Sequence, residues 1–368
     1  MSKAWWVLLG LTVVAAGCGS DDVSSSSGGG SAGAGATSGG TSGNAAQGGS
    51  SGNTSSGGAN FGGSMSGGSP GIGGQASGGA TGSGGATGSG GATGSGGATG
   101  SGHSLRFHGF GQNDVDRVKI RLDDENNAQP GPPVDVGAED FTIEFWMRAA
   151  ATDNTAAQIA CSGYDWISGN IVVDRDRYSQ GRAFGISIAG GRVAFGVINA
   201  SNSSTTICGT SNVLDDQWHH IAVQRRRSDG RLWIFVDGVN QAEADGPDGD
   251  VSYPDNGVPG NYCGGPCNYS DPFLVIGAEK HDAGSQYPSY AGYFDELRVS
   301  KVLRYATNFA STKSAFAPDA NTVGLFHFDE GSGTSAGDSS GAVGGPTSGL
   351  LKVGGSPPGP EWTAQSPF

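Results

Sequence analysis

The residues with the most chemical promise are one carboxylate and three groups of loop aromatics. Asp295 stands in the run Phe294–Val299, FDELRV, which reads as a strand. Strand alternation gives Asp295 the parity of Leu297 and Val299, so it is expected to point inward. Glu296 and Arg298 should then pair on the opposite, solvent face. A buried carboxylate needs a partner, whether Ca²⁺, an arginine or backbone N–H groups. The aromatics are Tyr164 with Trp166, Tyr262 with Tyr269, and Tyr287 with Tyr290. Aromatic faces stack on the C–H faces of sugars, while hydroxyls or an indole N–H hydrogen-bond, so each pair is a candidate ligand contact. Trp146, Trp218 and Trp233 sit in apolar runs and read as core. His219 and His220 have no nearby nucleophile and read as structural.

The chain has five cysteines, and Cys18 belongs to the N-terminal segment discussed below. The other four form an even set, as in an exported protein. Three pairings are possible. We expect Cys263 with Cys267, across a Gly-Gly-Pro turn, and Cys161 with Cys208. A metal site at C-x-x-x-C is the rival for the short loop. Gly337–Gly341, GDSSG, looks like a serine-protease motif but lacks that motif's surroundings.

These residues need strands to position them. Phe141–Arg148 alternates and is rich in β-formers. Ala183–Ile188 and Arg192–Ile198 flank Gly190-Gly191 and read as a hairpin. His219–Arg225, Leu232–Val236, Phe273–Ile276, Tyr293–Val299 and Val323–Phe328 extend the set, and Val302–Phe309 alone looks helical. Short alternating strands with Gly, Asp and Asn turns predict an all-β, two-sheet antiparallel sandwich.

Five segments in order resemble the laminin-G-like, concanavalin-A-like jelly-roll family, especially its bacterial surface forms. They are Ser104–Gly109, Phe141–Trp146, Trp218–Ala222, Leu232–Gly238 and Gly292–Val299. The resemblance implies two antiparallel sheets, one concave, with ligand sites on loops or on the concave face. It also implies structural Ca²⁺ at Asp295 with backbone carbonyls, although His108 stands where many relatives have Asp or Asn. Glucanases on this fold use an alternating acidic triplet, which this chain lacks. Leu325–Gly333 resembles the family's opening segment, yet lies near the C-terminus. We favour circular permutation over a truncated second copy, with this strand filling a place beside residues 104–108.

Residues 1–18 form a signal: Lys3, then an apolar run from Ala4 to Ala16, too short to span a bilayer. Ala15–Cys18 resembles a bacterial lipobox, which implies lipid attachment at Cys18 and cleavage before it. Residues 19–102 hold 34 of the chain's 70 glycines and four GGATGS repeats. Such a segment has little apolar area to offset ordering entropy and reads as a disordered tether. Its r.m.s. span is on the order of 50 Å. Residues 103–368 are left as one domain.

The net charge of −14 disfavours nucleic acid as a partner. The expectation is a non-catalytic lipoprotein at the cell envelope, suited to an outer-membrane anchor, that binds glycan or a surface protein. It would touch the membrane through its lipid alone. A spacer without a ligand is the alternative, and a polysaccharide hydrolase is a more distant one.

Overall fold

The computed structural model describes residues 102–124, 126–258 and 271–368. The signal, Cys18, the tether, Tyr262, Cys263, Cys267 and Tyr269 lie outside them. Among the described residues the regular structure is almost entirely strand, with two short 3-10 turns.

In chain order the strands are β1 (Ser104–His108), β2 (Arg117–Arg121), β3 (Phe141–Ala150), β4 (Asn170–Arg175), β5 (Ala183–Ala189) and β6 (Arg192–Ile198). There follow β7 (Ser204–Cys208), β8 (Asp215–Arg225), β9 (Leu232–Val236), β10 (Val239–Ala244) and β11 (Phe273–Ile276). Last come β12 (Ala291–Ser300), β13 (Thr322–Phe326), β14 (Ser335–Ala336), β15 (Gly349–Lys352) and β16 (Glu361–Thr363). One sheet runs β10-β9-β8-β3-β12-β1-β16, with β13 also on β12. The other runs β14-β15-β2-β11-β4-β5-β6-β7, and every pairing between strands is antiparallel.

Alternation builds the core. Phe141, Ile143, Phe145 and Met147 of β3 meet Ile186, Val193 and Phe195 of the second sheet in one buried cluster. Phe145 stacks on Phe294 with ring centroids 4.8 Å apart. The outward residues of β3 are not solvated either. Thr142, Glu144 and Trp146 are buried beneath the segment 301–320 and the C-terminal tail.

The expected helix over Val302–Phe309 does not form. The first sheet takes up its backbone donors: the N–H groups of Arg304 and Tyr305 donate to Gln224, and that of Phe309 to Gly238. Tyr305 and Phe309 stack face to face and pack on Phe235. Those contacts outweigh the weak propensity of an eight-residue helix.

The C-terminal segment joins both sheets. β13 and β1 share one edge of β12, pairing with its second and first halves. The place beside Ser104–Arg106 is taken by β16, so β13 is not where the sequence suggested.

Candidate functional site

Two loops carry the features of interest: the turn between β1 and β2, and residues 277–290 between β11 and β12. Together with residues 153–155 they enclose an open cleft of about 680 Å³ at one end of the sandwich. Its lining includes His108, Phe110, Gln112, Asn113, Asp153 and Ser289. Phe110 is 40% exposed. The β1–β2 turn is set by Asn113, Asp114 and Asp116, all with positive φ, a conformation that Asn and Asp tolerate better than most. Asp116 is buried beneath it and accepts the backbone N–H of His108 and Phe110 at 2.9 and 2.8 Å. Gly111 lets the turn touch the second loop, since a Cβ there would overlap Ala278 and Ser289. The Gln112 and Asn113 side chains are exposed and hydrogen-bond to no described residue.

The far side of loop 277–290 is tied down by a buried polar cluster. Asp174 accepts the backbone N–H of Asp176 at 2.6 Å and of Lys280 at 2.8 Å. Glu279 Oε2 accepts the N–H of His281 at 2.8 Å and that of Asp282. His281 Nδ1 lies 3.2 Å from Glu279 Oε1 and 3.5 Å from Asp176 Oδ2. Its Nε2 lies 3.3 Å from Asp271 Oδ2. Asp271 in turn pairs with Lys280, and Tyr164 donates to Asp176 Oδ1 at 2.7 Å. Burial pulls the imidazole pKa down, but hydrogen bonds donated to Asp176, Asp271 and Glu279 outweigh it and lift it to about 11. Burial raises the Asp271 carboxyl, yet the Lys280 charge and His281 hold it below the usual carboxylate range.

Four of the six aromatics singled out in the sequence lie among the described residues. Tyr287 is half-buried on loop 277–290, where the acids of the cluster raise its hydroxyl after burial does. Tyr290 is a correction: it is fully buried, and its hydroxyl donates to Tyr293 O at 2.8 Å. Trp166 is a second correction. Its indole is fully buried on the outer face of the second sheet, in a cradle of Gly185 and Gly196, and its Nε1 meets no hydrogen-bond partner among the described residues. Tyr164 packs edge-on against it at 5.4 Å, with its hydroxyl spent on Asp176. This pair therefore covers a sheet. The expected Cys161–Cys208 disulfide is present and pins the covering segment to β7.

Asp295 also departs from expectation. The pairing of β12 with β3 slips between Asp295 and Arg298, and Glu296 has φ 53°, so one extra residue bulges out. Parity reverses there. Phe294 and Leu297 enter the core, while Asp295 lies opposite the outward-facing Trp146. Glu296 is buried, not on the surface, and bonds His327 and the Phe316 N–H, both at 2.8 Å. Arg298 pairs instead with Glu144 at 2.8 Å. Burial, then the charges of Glu296 and Asp329, push Asp295 up to about 9.

Ca²⁺ requires six to eight oxygen ligands, and no cluster of three ligating side chains forms around Asp295 among the described residues. The ligating cluster that does form is Asp176, Glu279 and His281. Its imidazole nitrogen does not suit Ca²⁺. At the cluster the carboxylates of Asp176 and Glu279 are oxygen donors of the kind Ca²⁺ takes, and the nitrogen of His281 favours a transition metal beside them. The sequence reasoning missed this cluster. Its signals were present in Asp174-Arg-Asp176 at a strand end and Glu279-Lys-His281 just after a strand.

Two twisted antiparallel sheets around one apolar core, with the polar cleft on their connecting loops, define a lectin-type jelly-roll sandwich. The chain belongs to the laminin-G-like family of the concanavalin A-like lectin/glucanases superfamily, which it matches over residues 123–307. Solved structures share the fold at low identity. A carbohydrate-binding assignment goes with one from Bacteroides ovatus, at 14% identity over 67% of this chain and 57% of that one, TM-score 0.41. A heptameric SAP-like pentraxin from Limulus polyphemus matches at 13% identity over 55% of this chain and 77% of its own, TM-score 0.34. Domains LG4-5 of the mouse laminin α1 chain match at 18% identity over 59% of this chain and 47% of their own, TM-score 0.32. No curated protein matches the sequence.

Proposed function

We propose that the chain is a membrane-anchored envelope lipoprotein whose sandwich binds glycan without catalysis. The cleft beside the β1–β2 turn carries this reading. It offers a solvent-facing ring at Phe110 and unspent amide groups at Gln112 and Asn113. That pairing of an apolar face with hydrogen-bonding groups suits a sugar. The acidic surface favours neutral over anionic glycans. The non-catalytic reading is supported by Glu144, the most buried carboxylate of the first sheet. Arg298, His220 and Tyr305 all hold it, which leaves it no freedom to shuttle a proton. The lipobox at Cys18 and the tether would hold the domain out from the membrane, as an outer-membrane anchor suits.

The test is a glycan array probed with the full chain and with Phe110→Ala and Asn113→Ala variants. Retention of neutral glycans by the wild type and its loss in both variants is the expected result. No retention of any glycan, or retention unchanged in both variants, would overturn the reading and favour a protein partner or a spacer.

A further inference from the structure

We propose that Asp176, Glu279 and His281 bind one divalent transition-metal ion of the Zn²⁺ class. Two features point there. The first is spacing. Ligands about 2.0–2.2 Å from a tetrahedral ion lie roughly 3.3–3.6 Å from one another. His281 Nδ1 stands 3.2 and 3.5 Å from its two carboxylate oxygens.

The second feature is the outer ring of partners. Each ligand group has its other polar atom held by a neighbour: His281 Nε2 by Asp271, Asp176 Oδ1 by Tyr164, and Glu279 Oε2 by two backbone N–H groups. A carboxylate on the far nitrogen of a ligating histidine fixes its tautomer and raises its basicity.

Binding releases the His281 proton to solvent, and no oxidation or bond cleavage is involved. The ion would brace loop 277–290, one wall of the cleft, but the proposal stands whether or not the cleft binds glycan.

The test uses the full chain, stripped with chelator and titrated with Zn²⁺ and then Co²⁺. We expect one equivalent of Zn²⁺ to bind and raise Tm, and Co²⁺ to give tetrahedral d–d bands without thiolate charge-transfer bands. Asp271→Asn, which keeps all three ligands, should weaken Zn²⁺ about 10- to 100-fold. His281→Gln should abolish stoichiometric binding. Should that variant not fold, Asp271→Asn still decides. The absence of stoichiometric binding in the wild type, or equal affinity in Asp271→Asn, would overturn the proposal. Thiolate bands would also overturn it, by moving the ion to Cys263 and Cys267.

Discussion

Trp166 is the residue on which a packing role and a ligand role diverge most sharply. It rests on β5 and β6, where Gly185 and Gly196 leave room for its ring. Truncating a fully buried tryptophan costs about 3–5 kcal/mol, from lost transfer energy and the cavity left behind. Gly185→Ala attacks the same contact from below, because the new Cβ would overlap the indole. Overpacking of this kind costs about 1–3 kcal/mol. In the double variant the methyl group enters space the indole has vacated, so the second change should add less than about 0.5 kcal/mol. Urea unfolding of the wild type, both single variants and the double variant measures the cycle. Coupling of at least about 0.5 kcal/mol is expected. Additive costs, or a Trp166→Ala variant of wild-type stability, would refute the cradle.

Further perturbations test other parts of the account. Replacing Cys161 and Cys208 by Ala opens a loop with a sequence separation of 47 and should cost about 2–4 kcal/mol, read as a drop in Tm that reductant does not deepen. Glu144→Gln leaves Arg298 without its buried charge partner and should cost about 3–5 kcal/mol by urea unfolding. Asp295 has a folded pKa of about 9 against 3.8 unfolded, so it ionises on unfolding and stability falls as pH rises between those values. Asp295→Asn should therefore stabilise the protein at pH 7 by about 1 kcal/mol or more, with little effect near pH 3. A variant less stable at both pH values would contradict this.

The sandwich was legible because its strands alternate. Phe141–Arg148 does so, while Leu232–Val236 and Phe273–Ile276 are unbroken runs of apolar, β-favouring residues that mark β9 and β11 at their observed ends. Short or outward-polar strands such as β10, β14 and β16 carry no such signal, and their pairing comes from neighbours already in place. The reversal at Asp295 was illegible for a different reason. A single bulged residue shifts parity, and the local sequence FDELRV reads equally well without it. Trp166 misled because it lies in a loop, whereas its burial depends on two glycines from a hairpin later in the chain. The acid and histidine cluster joins residues about a hundred positions apart, so only the fold brings them together.

The most direct test of the glycan reading is a crystal structure of the protein soaked with a glycan that it retains on the array. The account predicts a sugar ring stacked on Phe110 with its hydroxyls bonded to Gln112 and Asn113. A sugar bound elsewhere on the sandwich, with this cleft holding only solvent, would contradict it.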